Sequence, residues 1–244
     1  MKLTDAVYVV GGGELGYQVS NPYDCNVFAL DGGGEWCIID AGSGIEPETI
    51  VDNLNHDGIE PECIKTLILT HAHADHAGGA AYLREHLSIR VLASNRTAAI
   101  VSSGDEERMS LLDARRAGIY PEWYRFRKCA VDQMLHTGGR FKVGSLSLHV
   151  VSAAGHSADM IGLYCPELKA LFAGDAVFEG GRLAVIHTRD FSLEEYRTTI
   201  AGFAQLAVEQ LFPGHGFALL NDAEHAITLA HRRFEQGEAP ESIV

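Results

Sequence analysis

The sequence predicts an α/β fold. Short β-rich segments separated by glycines come first, and strands then alternate with helices. The residues are 46% hydrophobic and 21% charged, which is close to the average for globular chains and supplies a sizeable core. At 244 residues the chain fits one large domain, or at most two small ones. We therefore expect a single domain over residues 1–244, with a helical insert at about 95–136.

The first half of the chain is predicted to contain short strands and two helices. The run at 66–70 reads TLILT and is typical of a buried strand, because it is apolar and rich in β-formers. Glu46 and Glu48 favour a helix start next to Pro47. Helices are predicted at 47–54 and 78–87. Strands are predicted at 7–10, 18–20, 26–30, 36–40, 66–70 and 90–93.

Strands return after the insert. A helix is predicted to begin at Ser192, because a serine followed three residues later by Glu195 forms a capping box. This helix is expected over 192–206 and a last helix over 221–236. Strands are predicted at 140–143, 146–152, 161–164, 170–173 and 210–212.

The insert at 95–136 is charged and has a helical pattern. It ends in an aromatic stretch that includes Tyr120, Trp123 and Tyr124. Aromatic side chains serve equally in a surface hairpin, in a lid over a substrate site, or in a homodimer surface. The sequence leaves these three interpretations open.

The net charge and the cysteine pattern limit the kinds of partner and the cellular compartment that the sequence is compatible with. There are 19 Lys plus Arg against 33 Asp plus Glu, a net charge of −14 that repels phosphate backbones. The longest apolar runs are far shorter than the ~18 residues that cross a bilayer. The five cysteines are odd in number and form no C-x-x-C pair, which is typical of reduced thiols. We predict a cytoplasmic protein with a small-molecule substrate and no nucleic-acid or membrane partner.

The strongest motif is a run of potential metal ligands directly after the predicted strand at 66–70. His71 and His73 are two residues apart, so an extended backbone directs both imidazoles to the same side. Asp75 and His76 follow at once. Burying three imidazoles and a carboxylate without a cation would be costly, so the run predicts a metal site rather than a solvated loop.

Three further residues repeat this arrangement. His156, Asp175 and His215 each lie beside a glycine, after a predicted strand. Taken with the run at 71–76, they complete two coordination sets. Ligands that offer only nitrogen and oxygen suit Zn²⁺ best, with iron or manganese as alternatives.

On these residues the sequence resembles the metallo-β-lactamase superfamily of hydrolases, from Tyr8 to about His225. The resemblance implies an αββα sandwich of two mixed sheets flanked by helices, with a dinuclear metal site at its rim. Asp40 matches a further family position that usually supports the ligands. The implied assignment gives one ion to His71, His73 and His156, the other to Asp75, His76 and His215, and makes Asp175 the bridge.

Two details refine the resemblance. Asp175 stands where the main antibiotic-hydrolysing enzymes have cysteine, which favours the glyoxalase II, lactonase and esterase branches. The family often has Pro-Gly-His-Ser/Thr-x-Gly around its third histidine. Here the segment 154–159 reads AGHSAD, so the turn after His156 is expected to differ.

The resemblance implies hydrolysis of an ester, thioester or lactone carbonyl by a metal-bound hydroxide. Two ions lower the pKa of a shared water, and Asp75 would orient that water and take its proton. His187 is a candidate proton donor to the leaving group, with Tyr120 and Tyr124 as alternatives. A mononuclear iron persulfide dioxygenase, which uses two histidines and an aspartate, is the alternative function.

The segment 11–16 reads GGGELG and fits the dinucleotide-binding pattern G-x-G-x-x-G. That pattern requires a helix next, whereas the following residues read as extended and then broken at Pro22. We therefore expect a loop without a bound nucleotide.

Overall fold

The computed structural model describes residues 1–186 and 188–244. The chain divides into two compact units. The first comprises Met1–Leu135 and Val143–Ser145, and the second comprises His136–Lys142 and Leu146–Val244. Each unit contains a mixed sheet, flanking helices and a hydrophobic core of its own. The prediction of two mixed sheets flanked by helices is confirmed.

The first unit contains a six-stranded sheet with its strands in chain order. Its strands are β1 (Val7–Gly11), β2 (Val27–Asp31), β3 (Trp36–Ile39), β4 (Ile64–Leu69), β5 (Arg90–Ser94) and β6 (Gln133–Leu135). The first two pairings are antiparallel, and β3, β4, β5 and β6 run parallel. The carboxyl ends of β3 and β4 therefore meet at one edge, the edge where parallel sheets usually place their ligands.

The helices of the first unit follow these strands. They are α1 (Glu48–His56), α2 (Ala74–Ala77), α3 (Ala80–Leu87), α4 (Asn95–Ser103) and α5 (Leu111–Arg116). The predicted strand at 18–20 is wrong, since Gln18 has a left-handed φ of 55°. Val19 N donates to Gly12 O as part of a loop instead of a sheet ladder. Residues 12–26 hold neither helix nor strand, which agrees with the predicted loop.

The segment 95–136 contains two helices, but its last part is the strand β6. Ser94 is the N-cap of α4, and its Oγ accepts a hydrogen bond from Thr97 N. Glu106 ties α5 to the aromatic stretch of this segment. Its carboxylate contacts Arg115 at 2.5 Å and accepts a hydrogen bond from Phe126 N at 2.9 Å. The sequence does not predict β6, because the surrounding segment is charged. The apolar side chain of Met134 is also exposed, so β6 shows no alternation of buried apolar and exposed polar residues.

The second unit contains a five-stranded sheet in the order β11-β10-β9-β8-β7. Its elements are β7 (Arg140–Val143), β8 (Leu146–Ser152), β9 (Ile161–Cys165), β10 (Ala170–Gly174), α6 (Leu193–Phe203), β11 (Gln210–Pro213) and α7 (Ala223–Glu235). The strand β9 is antiparallel to both β8 and β10, and β11 is parallel to β10. The carboxyl ends of β8, β10 and β11 therefore lie at the same edge of the sheet. The predicted N-cap of α6 is confirmed, since Ser192 Oγ accepts from Glu195 N, but the capping box is not closed, because Ser192 N donates to Gly155 O.

Candidate metal centre

The first unit places four potential ligands immediately after β4. His71 and His73 lie between β4 and α2, and His73, whose backbone is extended, precedes the single turn of α2 that carries Asp75 and His76. His71 Nε2 is 3.1 Å from His73 Nδ1, and the rings of His71 and His76 have centroids 4.1 Å apart. The run therefore forms a compact cluster of three imidazoles.

Asp40 fixes the proton on His76. It follows β3, and its Oδ2 lies 2.8 Å from His76 Nδ1. An ionised carboxylate only accepts hydrogen bonds, so Nδ1 carries the proton and Nε2 keeps its lone pair. That Nε2 lies 3.6 Å from Asp75 Oδ2, so two electron-pair donors face each other. A divalent cation suits this arrangement.

Thr70 fixes the position of the proton on His71 in the same way. Its hydroxyl donates to the Asp40 carboxylate at 2.9 Å, which uses its one proton. Thr70 Oγ1 is also 3.0 Å from His71 Nδ1, so the ring nitrogen is the donor in that contact. His71 Nε2 is left as an electron-pair donor, the form that a metal ligand requires.

Glycines let the loop after β3 approach the ligand cluster. A Cβ at Gly78 would lie 1.9 Å from Ser43 O, and one at Gly79 would lie 2.1 Å from Ala41 O. Ala41 N donates to His76 O at 2.7 Å in the same region. The backbone of the ligand run is thus bonded directly to the residues that follow β3.

Cys25 is a neighbour of this cluster that the sequence did not single out. Its Sγ lies within 4.8 Å of ligand atoms of Asp40 and His76, and all three residues are buried. Its backbone N donates to Asp75 O at 3.2 Å. Burial raises the pKa of the Cys25 thiol. Only the fold brings this cysteine near residues so distant in sequence.

The second unit places its three potential ligands at the common edge of β8, β10 and β11. Asp175 Oδ2 lies 3.4 Å from His156 Nε2 and 3.4 Å from His215 Nε2. His156 Nδ1 donates to Ala184 O at 3.0 Å, so its Nε2 is the electron-pair donor. All three ligand candidates are buried. A carboxylate between two imidazoles again suits a divalent cation.

The turn after His156 tolerates its unusual sequence. Asp159 stands where the family pattern has glycine, and it adopts a left-handed φ of 64°. Aspartate is one of the few other residues that enter this region readily. Ser157 Oγ donates to Asp190 Oδ2 at 2.9 Å and ties the turn to a later loop.

The proton-donor candidates differ in their surroundings. His187 lies outside the described residues. Tyr124 donates its hydroxyl to Ser43 O at 2.5 Å, so its proton has a structural use. Tyr120 stacks on both Tyr23 and Tyr124, with ring centroids 5.4 and 5.0 Å apart. Burial raises the pKa of Tyr120 well above its usual value, and the charge of Asp75 adds to this effect.

These donor sets fit a divalent metal. The first unit offers three imidazoles and a carboxylate, and the second offers two imidazoles and a carboxylate. Such nitrogen and oxygen donors, with their rings oriented by carboxylate, hydroxyl or carbonyl partners, are those that Zn²⁺ binds in proteins.

Comparison with known families agrees with this chemistry. A family model described as Metallo-beta-lactamase superfamily matches residues 20–215. The chain therefore belongs to the metallo-β-lactamase superfamily, which implies divalent metal binding. The prediction of a hydrolase of this superfamily is confirmed by the match and by the hydrolases among the relatives.

Three known proteins illustrate the relationship. The chain is 28% identical over 165 residues to hydroxyacylglutathione hydrolase GloC of Haemophilus influenzae, covering 67% of this chain and 69% of that protein. It is 27% identical over 207 residues to acyl-coenzyme A thioesterase MBLAC2 of Gallus gallus, covering 78% and 72%. A metallo-beta-lactamase family protein from Thermus thermophilus has the same fold, with a TM-score of 0.71 at 21% identity, covering 96% and 81%.

Proposed function

We propose that this protein is a dinuclear metal hydrolase in which water attacks the carbonyl carbon of a small-molecule thioester and the C–S bond breaks, with esters and lactones as further substrates. The relatives named as hydroxyacylglutathione hydrolase and acyl-coenzyme A thioesterase both act on thioesters, which favours that class. The observation that carries the proposal is Asp175 Oδ2, 3.4 Å from the Nε2 atoms of two histidines. A carboxylate so placed suits a ligand that bridges two cations.

The proposed ligands are the seven residues that the sequence singled out, four in the first unit and three in the second. One ion is assigned to His71, His73 and His156, the other to Asp75, His76 and His215, with Asp175 shared between them. The support is the family membership together with the oriented imidazoles in each unit. The bound ions would activate a water and polarise the substrate carbonyl.

The remaining steps fall to side chains of this chain. Asp75 is proposed to orient the attacking water and to accept its proton, and Cys25 N holds the Asp75 carbonyl at 3.2 Å. Asp40 and Thr70 keep His76 and His71 in the ligating tautomer. His187 or Tyr120 is proposed to donate the proton to the leaving group, because the hydroxyl of Tyr124 is engaged by Ser43.

Zinc and a cytoplasmic location complete the proposal. The nitrogen and oxygen donors favour Zn²⁺, with iron or manganese as alternatives. All five cysteines are free, and four of them are buried, which is the usual state in a reducing compartment. None of the helices in the two described stretches is long and apolar enough to cross a membrane. For the segment 95–136 the proposed roles are a lid over the substrate site, a homodimer surface or a surface hairpin.

A substrate panel tests the proposal. The protein loaded with Zn²⁺ is offered hydroxyacyl-glutathione, acyl-coenzyme A, lactone, simple ester and β-lactam substrates, and thiol release, acid release or ring opening is followed. We expect turnover of at least one thioester and its loss in Asp175→Asn. No carbonyl hydrolysis with two equivalents of Zn²⁺ bound would contradict the proposal. One equivalent of iron with oxygen uptake on a persulfide would favour the dioxygenase.

A further inference from the structure

The helix α6 and its N-cap residue are bonded to the loop that carries His156. Ser192 is the N-cap of α6, and Thr199 lies seven residues further on, about two helical turns along. Ser192 N donates to Gly155 O at 2.8 Å, and Thr199 Oγ1 donates to Ala154 O at 2.7 Å. The backbone that leads into His156 is therefore held at two successive carbonyls by α6 and its N-cap residue.

Tyr196 lies between these two contacts along α6 and is fully buried. Its ring packs directly on Gly155. A Cβ at position 155 would lie 2.4 Å from Tyr196 Cγ, and the φ of Gly155 is 139°. Only glycine meets both requirements. The aromatic ring thus sets the position of the chain one residue before His156.

The hydroxyl of Tyr196 reaches two groups that support ligand candidates. It donates to Asp175 O at 2.6 Å, and Ala184 O lies 3.2 Å away as a second acceptor. Ala184 O also accepts from His156 Nδ1 and so orients that ring. One hydroxyl therefore touches the main chain of Asp175 and the carbonyl that directs His156.

We propose that Tyr196 is a positioning residue whose hydroxyl fixes the separation between His156 Nε2 and Asp175 Oδ2, and thereby the affinity for a divalent cation. The inference rests on the proposed function, because it assumes that both residues bind metal. Groups that support metal ligands typically change metal affinity ~10- to 100-fold when removed. Tyr196→Phe removes the hydroxyl and keeps the ring on Gly155.

A matched pair of variants tests this role. Tyr164→Phe is the control, since Tyr164 OH donates to Ala207 O at 2.9 Å, a bond of the same kind away from the ligands. Zn²⁺ affinity is measured by competition with a chromophoric chelator, and the Co²⁺-loaded proteins are compared by visible absorption. We expect Tyr196→Phe to bind Zn²⁺ ~10- to 100-fold more weakly with a changed Co²⁺ spectrum. Tyr164→Phe should match the wild type in both. Wild-type affinity and spectrum in Tyr196→Phe would overturn the proposal.

A second variant keeps the test decisive if Tyr196→Phe does not fold. Thr199→Val removes the bond to Ala154 O and keeps the side-chain shape. A loss of Zn²⁺ affinity smaller than that expected for Tyr196→Phe supports the proposal that α6 positions His156. Wild-type affinity in Thr199→Val overturns that proposal. Wild-type protein that binds Zn²⁺ but cleaves no thioester, ester or lactone contradicts the proposed function alone. Wild-type protein that binds no Zn²⁺ overturns both.

Discussion

Asp40 Oδ2 lies 2.8 Å from Nδ1 of His76, and the same carboxylate accepts hydrogen bonds from the backbone N and the hydroxyl of Thr70. One buried side chain thus fixes the ring of a ligand candidate and the start of the ligand run. Asp40 also adopts a left-handed φ of 62°, which is uncommon for a residue other than glycine. The strand end and the ligand run are coupled through this residue.

Asp40→Asn is expected to lower metal affinity ~10- to 100-fold, because an amide cannot accept all of these hydrogen bonds. Zn²⁺ competition with a chelator measures the effect. Asp31→Asn is the control, since Asp31 Oδ1 accepts from the backbone N–H groups of Gly33 and Gly34 in an exposed turn. Equal affinity in Asp40→Asn and Asp31→Asn would contradict the role given to Asp40.

Gly78→Ala is expected to lower the free energy of unfolding by about 1–3 kcal/mol or more, because the added Cβ would meet Ser43 O at 1.9 Å. Gly202→Ala is the matched control. Gly202 lies in α6 with no atom within 4 Å of an added Cβ, so alanine should stabilise by about 0.5–1 kcal/mol. Denaturant unfolding measures the free energy of unfolding of both variants, and we expect the two changes relative to the wild type to have opposite signs. A neutral Gly78→Ala would show that the two loops are not in close contact.

Tyr124→Phe separates a structural role from a catalytic one. The hydroxyl donates to the buried Ser43 O, so its removal should lower the free energy of unfolding by about 1–3 kcal/mol. We expect kcat on the best thioester to change by less than about threefold, a difference of under ~0.7 kcal/mol in the barrier. A hundredfold loss of kcat with unchanged stability would instead make Tyr124 the proton donor.

Glu106 gives the stability a dependence on acid pH. Burial alone would raise the pKa of Glu106, but the ion pair with Arg115 and the Phe126 N–H outweigh it, so the pKa lies below its ordinary 4.5. A carboxyl with a lowered folded-state pKa stabilises the fold above pH 4.5, and this contribution is lost as the pH falls through the folded-state pKa.

Glu106→Gln should therefore lower Tm at pH 7, and the difference from the wild type should shrink below pH 4.5. Thermal unfolding of the metal-free proteins measures both values. Glu122→Gln is the control, because Glu122 is exposed on the same segment. A Tm difference between Glu106→Gln and the wild type that does not change with pH would show that charge on Glu106 contributes nothing.

The ligand candidates were predictable because their signals are local. One run of six residues after an apolar strand contains His71, His73, Asp75 and His76. The start of α6 was predicted from Ser192 and from Glu195 three residues later. The parallel strands then bring strand ends to one edge of each sheet. Pattern and spacing were sufficient for these features.

Features that depend on contacts between distant residues were not predictable. Cys25 and Tyr196 reach the ligand candidates only through the fold, and neither has a distinctive sequence neighbourhood. The strand predicted at 18–20 failed because Gln18 turns the chain back toward Gly12. β6 was hidden because three residues beside a charged segment carry too little periodicity.

Metal content and turnover, measured together on the same samples, give the most direct test of the central claim. The wild type is predicted to hold about two equivalents of Zn²⁺ and to cleave a thioester, as expected for a two-metal site. His73→Ala and Asp175→Ala are each predicted to lose metal and turnover together. Full turnover in a wild-type preparation stripped of metal would contradict the account.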